Sequence, residues 1–445
     1  MILQVTDGTT LVALSGATPI VGCTYFPATP TRKDGVYEDV TESAEIVLRG
    51  ATATVRATIN TLEKLFEQAA RRQVRKWQPA VYVQYTPVDA DAAWRSELLE
   101  GRVTWSTDPG LRRLGDATPT VKVGVFWRRR FYWEGAEAEL QLSTSNQTAA
   151  TGGRAIVNHD DSGTGDDNWV QIAANQVTGV LPAGARIQLQ NTTGAGRTWR
   201  KLYVALNALS DPANFPHMLE AENRVSGGTV QANAGASNGS QLQFNVSGSS
   251  AVFTWTLSSA MLQYAAGRLF RLLVAVNAVS GTTPTGTMTP EIRDAGGTIT
   301  LWRGDAVALP AAVGLLDLGA LPLPPGGYQT SNGYGALTLA LAITGAGTWT
   351  LDYLQLTPTD GLVMLGCAAA VANSSYVVAD SIEERQYVLT GASQYPYVTA
   401  NGAGVLLWPG VVQRLLVLAD SVEAGPSITD AFTVRVWARP RRVVV

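Results

Sequence analysis

One segment of this chain, Asn60 to Gln78, is patterned as a charged amphipathic helix. Nearly everything else in its 445 residues reads as short strands punctuated by Gly, Ser, Thr and Asn. Ile59, Leu62, Leu65, Phe66, Ala69, Ala70, Val74 and Trp77 recur at three-to-four spacing and make one apolar stripe. Asn60 and Glu63 have the form of a capping box, and Pro79 is expected to stop the helix. The spacing predicts a helix over 60–78, and the alternation from Ala51 to Thr58 predicts a half-buried strand before it. One early helix in a strand-rich chain restricts the fold class to mainly β, as several β-sandwiches. Such chains more often assemble or bind than catalyse.

Length and composition narrow this further. A chain of 445 residues exceeds one core, and 46% hydrophobic against 16% charged residues is enough to pack several. A net charge of −3 gives no overall pull toward nucleic acid. Cys23 and Cys367 are isolated, which predicts two buried thiols and no disulfide framework. The first residues lack the basic and apolar regions of a signal peptide, and no apolar run reaches membrane-spanning length. The expectation is a soluble protein without membrane insertion, made in the cytoplasm of its host.

Residues 1–135 read as an N-terminal β-sandwich carrying the helix. Arg71, Arg72, Arg75 and Lys76 complement the helix dipole and read as a solvated helix end. The run Trp127-Arg128-Arg129-Arg130-Phe131-Tyr132-Trp133 interleaves aromatics with arginines, as a nucleic-acid patch would. A terminal strand with one charged face is the preferred reading, and docking of a neighbouring subunit there is a further expectation. Residues 151–215 and 362–445 each supply only a partial set of strands, and together they match one ordinary domain. They predict a split β-sandwich interrupted by a guest at 216–360, whose edges carry Pro and Gly punctuation.

Catalysis finds little support, and no cofactor is expected. The histidines, His159 and His217, fall in separate units, and no metal-spaced His/Cys cluster, nucleophile elbow or phosphate loop occurs. Glu220 and Glu222 have the form of an acid–base pair, but read better as alternate positions on one strand edge. Asp160, Asp161, Asp166 and Asp167 crowd a turn as calcium ligands would. Gln171 stands where a bidentate Glu is needed, so a polar hairpin turn is the preferred reading. In the guest, Trp255, Trp302, Tyr328, Tyr334 and Trp349 are the candidates for stacking on sugar rings.

Two resemblances follow from these residues. The strand Leu219-Glu220-Ala221-Glu222, with Gly327-Tyr328, Leu337-Thr338-Leu339 and the run Trp349 to Leu356, resembles the jelly-roll carbohydrate-binding modules of glycoside hydrolases. The whole layout is similar to distal tail proteins of long-tailed bacteriophages: a helix-bearing N-terminal sandwich, then sandwiches with an insertion. The segments around Asn158–Asp161 and Asp167–Ile172 carry part of that likeness. The resemblance implies a non-enzymatic virion protein at the tail tip, with residues 1–135 as the belt of a homohexameric ring. It further implies the tail tube protein and tail hub or baseplate proteins as partners, with host-surface polysaccharide as a guest ligand. The alternative is a glycan-binding protein associated with a glycoside hydrolase.

Overall fold

The helix spans Thr52–Val74 (α1) and so begins ahead of its predicted start. The Ala51–Thr58 segment is helical rather than extended, because Val55 and Ile59 continue the buried stripe one turn further back. Thr58 and Thr61 return their hydroxyls to the carbonyls of Thr54 and Ala57, which satisfies these β-branched residues inside a helix. Asn60 is therefore an interior residue, and Ala51 caps the helix without a side-chain bond. The structure, a computed structural model, describes all residues except 76–77, 88–91, 106–119, 161–164, 208–216, 266, 325–328, 331–332, 360 and 403.

Around α1 the first unit forms one sheet. Its strands are Ile2–Thr6 (β1), Leu11–Ala13 (β2), Ile20–Thr24 (β3), Val40–Arg49 (β4), Tyr82–Thr86 (β5), Trp94–Trp105 (β6), Thr120–Arg129 (β7) and Trp133–Glu134 (β8). The antiparallel order is β2-β1-β5-β6-β7-β4-β3, leaving β2 and β3 as the two ends of the path. Alternate residues of these strands (Leu3, Val5, Ile46, Leu48, Val123, Val125) meet the α1 stripe in one core. Gly101 in β6 makes the closest approach: a Cβ there would run into the Phe66 ring.

The chain continues through Ala138–Glu139 (β9), Leu142–Ser143 (β10), Trp169–Ile172 (β11), Ala183–Asn191 (β12) and Trp199–Asn207 (β13). Next come Met218–Glu220 (β14), Thr229–Ala232 (β15), Ser240–Leu257 (β16), Leu269–Arg293 (β17), Thr300–Arg303 (β18), Gly314–Pro322 (β19) and Leu337–Pro358 (β20). It ends with Val363–Cys367 (β21), Tyr376–Asp380 (β22), Arg385–Thr390 (β23), Ser393–Tyr395 (β24), Val398–Asn401 (β25), Gln413–Ser421 (β26), Ala431–Ala438 (β27) and Arg441–Arg442 (β28). Two sheets draw strands from both sides of the middle segment, in the orders β9-β27-β12-β22-β23-β24 and β10-β11-β26-β13-β21-β25. Their facing residues, among them Ile187, Leu189, Val204, Val417 and Val434, share one apolar core.

Among the described residues, strands β14 to β20 pair only among themselves and with short strands of the same segment, in the main order β15-β16-β20-β17-β18. The long strands β16, β17 and β20 bend around their own core, with register shifts at Ser247/Ser250 and Ser280/Thr285. At the bend Gly345 has φ +136°, and a Cβ there would collide with the Thr285 carbonyl. A second short helix, Ser259–Ala265, buries Met261, Leu262 and Ala265 against this core, an element the sequence reading does not anticipate.

The C-terminus returns to the first unit. Strand β28 pairs with β8, Arg441 holds Glu134 at 2.8 Å, and Arg439 reaches Glu137 at 3.0 Å and Glu383 at 3.3 Å. Arg72, read as part of a solvated helix end, is buried instead. It pairs with Glu97 at 3.0 Å and donates to the carbonyl of Gln78. The three arginines before Phe131 are also engaged within the chain. Arg129 is buried against Glu42 at 2.6 Å and lies over the Trp133 ring, Arg130 pairs with Glu97, and Arg128 pairs with Glu100. Arg128, Arg129 and Arg130 are thus all paired within the chain, and Arg72 is withdrawn from the helix-end cluster.

Candidate functional site

The predicted sugar-stacking residues divide by burial. Trp255 is 2% exposed and donates its indole N–H to the Glu220 carbonyl at 3.1 Å. Trp349 has no exposure, donates to the Pro310 carbonyl at 3.0 Å, and stacks on Phe244 at 5.7 Å. A ring packed on every side has no face for a ligand, so the expectation of a platform at these two positions is corrected: both are core. Trp302 is half-buried on β18 against the guest core. Tyr328 lies outside the described residues. Tyr334 falls on the short strand Gly333–Tyr334, and its side chain lies outside what is described.

The acidic turn is tied into its surroundings. Asp167 is buried and accepts hydrogen bonds from the Ser145 amide and hydroxyl at 2.8 and 2.7 Å. Asp166 lies 3.5 Å from His159, and the Asp160 amide points at the Met218 sulfur. Asp161 falls outside the described residues. Among the described residues no group of three or more His, Cys, Asp or Glu is arranged to hold a metal ion. Cys23 is half-buried and Cys367 buried, both as free thiols.

A carboxylate cluster lies at one end of the guest. Glu220 ends β14, whereas Glu222 sits in the following 3-10 turn, so the two do not alternate along one strand edge. Asp352 on β20 accepts from the Ser237 amide at 2.8 Å and from the Asn277 side chain at 2.9 Å. The Ser237 hydroxyl donates to Glu220 at 2.8 Å and the Asn238 amide to Glu222 at 3.1 Å. Burial pushes the Asp352 carboxyl up to about 6, and the Glu222 charge adds to the effect. These carboxylates pin the turn at 237–239 to the sheet.

Where guest meets sandwich, Tyr203, Met218, Leu273, Ala275, Leu315, Tyr353 and Leu418 form a separate small core. Arg271 pairs with Asp317 at 2.7 Å, and Asp317 also accepts from the Tyr203 hydroxyl at 3.0 Å. His217 is buried beside this seam. One ring nitrogen faces the Asn207 amide at 2.7 Å and the other the Leu356 carbonyl at 3.2 Å. A neutral ring protonated on Nδ1 satisfies both contacts. Burial, with Arg414 and Arg268 at longer range, pushes its pKa down to about 3.

Two surface features escape the sequence reading. The outer edges β2 and β3 of the first sheet carry Leu11 (55% exposed) and Val21 (60%), and Phe26 beyond β3 is 84% exposed. On the split sandwich, Tyr395 and Tyr397 stack face to face at 5.5 Å. The signal for the second was present in the sequence: residues 386–413 contain no charged side chain.

No family model and no curated protein matches the chain. Among solved structures it is similar to two chains of the phage P2 baseplate in its activated conformation. In the calcium form the identity is 8%, coverage is 100% of both chains and the TM-score is 0.26. In the strontium form the identity is 9%, coverage is 100% of this chain and 99% of that one, and the TM-score is 0.27. It is also similar to the solution structure of CtCBM11, at 10% identity over 35% of this chain and 95% of that one, with a TM-score of 0.18. At these scores the likenesses are too slight to assign a role to any residue.

Proposed function

We propose that the chain is a non-enzymatic structural subunit of a phage tail tip. In this reading copies assemble head to tail into a ring, by resemblance a hexamer, that joins the tail tube to hub or baseplate proteins. Residues 1–135 form the belt, and the split sandwich (151–215 with 362–445) and its inserted guest (216–360) project from it. The observation that carries this reading is the first sheet's pairing path, which among the described residues ends on two different strands, with Leu11 exposed on β2 and Val21 and Phe26 exposed on and just beyond β3. An uncovered edge is a template for another strand, and two unlike edges give a heterologous contact that closes into a ring when the rotation allows.

The guest fits a spacer in this account. Its two deepest tryptophans stabilise its own core, and the seam with Tyr203 and Leu418 fixes it against the sandwich. Those two indoles are closed to a ligand, so a glycan-binding guest would have to use other residues. Sedimentation velocity at micromolar concentration tests the proposal. The wild-type chain is expected to form a discrete oligomer, and Leu11→Lys with Val21→Lys is expected to leave monomer. A wild-type chain that stays monomeric, alone and with the tail tube protein, overturns it.

A further inference from the structure

We propose that the corner of the split sandwich at Tyr395–Tyr397 is a binding site for a neutral glycan. Strand β24 is the last strand of one sheet and β25 the last of the other, so Tyr395-Pro396-Tyr397 carries the chain from one edge straight to the other. Both ends are fixed: Tyr395 pairs with Val388, and the Ala368 amide donates to the Tyr397 carbonyl at 2.8 Å. The rings lie 10° from parallel with 38% and 47% of these residues exposed. Among the described residues the other large exposed aromatics are Phe26 and Trp408. A pair of ordered, solvent-facing rings is a surface waiting for a flat apolar partner.

The rim defines that partner. Ser393, Gln394, Thr399 and Asn401, on the two strands that flank the rings, are exposed and carry only hydroxyl and amide groups, of which the Thr399 hydroxyl donates to the Gly366 carbonyl and Gln394 accepts from Arg385. No charged residue occurs from 386 to 413, although edge strands are commonly guarded by charge. The nearest cation in sequence, Arg385, lies over Tyr387, faces Asp380 at 3.8 Å and donates to Gln394. The run 386–413 itself supplies no counter-charge for an acidic sugar or nucleic acid. A specific protein contact needs about 800 Å² on each side, far more than two half-exposed rings supply. Stacked on each other, the rings keep one outer face each, and a pyranose can lay its C–H face on one of these while its hydroxyls meet neutral groups. The inference rests on this ribbon alone and does not require the ring.

Native electrophoresis of the full chain through gels containing dextran, galactomannan or arabinogalactan tests it. At least one of these polysaccharides is expected to retard the wild type. The Tyr395→Ala/Tyr397→Ala pair should weaken retardation about five-fold or more, the loss expected from one aromatic contact. Tyr395→Phe/Tyr397→Phe should retain it, as should Trp302→Ala in the guest. Both tyrosines are exposed, so the alanine pair should melt with the wild type by circular dichroism. Three results overturn the proposal: no retardation of the wild type by any of the three, equal retardation of the alanine pair, or a change on alanine substitution only in self-association.

Discussion

Acidification should loosen this protein through His217, and the size of the effect follows from its surroundings. The ring is fully buried with its pKa held at about 3, against 6.5 for a free histidine. The unfolded chain therefore takes up a proton near neutrality that the folded chain refuses. The folded pKa is depressed and the group is a base, so stability is lost as pH falls below 6.5 and continues to fall toward 3. Each unit of pH in that window costs about 1.4 kcal/mol, and moving from pH 7 to pH 5 removes about 2 kcal/mol. Asp352 works in the opposite direction. Its raised pKa, about 6 against 3.8, makes its contribution largest at low pH and lost as pH rises through about 6. Falling from pH 7 to pH 5 thus returns about 1 kcal/mol through Asp352, and the wild-type profile alone understates the histidine. The measurement is urea unfolding at both pH values for wild type and His217→Gln, whose amide can still donate to Leu356 and accept from Asn207. The variant should lose about 2 kcal/mol less than wild type between pH 7 and pH 5. Equal losses in the two proteins would show that the His217 ring is not held neutral by burial.

Other substitutions read separate contacts. Gly101→Ala forces a methyl into the Phe66 ring and should destabilise the first unit by about 2 kcal/mol, measured by thermal melting. Arg129→Ala leaves Glu42 buried without its cation and should cost about 3–5 kcal/mol in the same assay, whereas Arg128→Ala, exposed beside Glu100, should change little. Removing residues 439–445 deletes β28 and the Arg439 and Arg441 pairs, so limited proteolysis should newly cut between β8 and β9. Unchanged digestion would show that the C-terminal strand does not tie the first unit to the sandwich.

The strands were legible because their apolar residues alternate, and the helix because its stripe has a period near 3.6. The helix start was missed because Ala51–Thr58 satisfies both patterns. Its β-branched residues favour a strand locally, and only the tertiary placement of Val55 and Ile59 against the sheet decides. Arg72 and Arg129 were misplaced for a related reason: sequence shows a charge but not the distant Glu97 or Glu42 that permits burial. Trp255 and Trp349 look like ligand contacts until both indoles are seen to bond backbone carbonyls within the core. Tyr395 and Tyr397 were passed over because individual tyrosines in strands are unremarkable. Their significance lies in the charge-free run around them and in the stacking that only the corner between two sheets produces.

Head-to-tail pairing through the open first sheet is tested most directly by disulfide trapping. In a Cys23→Ser background, Leu11→Cys and Val21→Cys place one thiol on each end strand of the sheet. If β2 of one copy meets β3 of the next, mild oxidation of the double variant should give a ladder of covalent multimers ending in a closed ring, while neither single variant cross-links. Dimers formed by a single variant would mean that like edges meet. A double variant that remains monomeric on denaturing gels, while the unoxidised protein sediments as an oligomer, would mean that assembly uses some other surface.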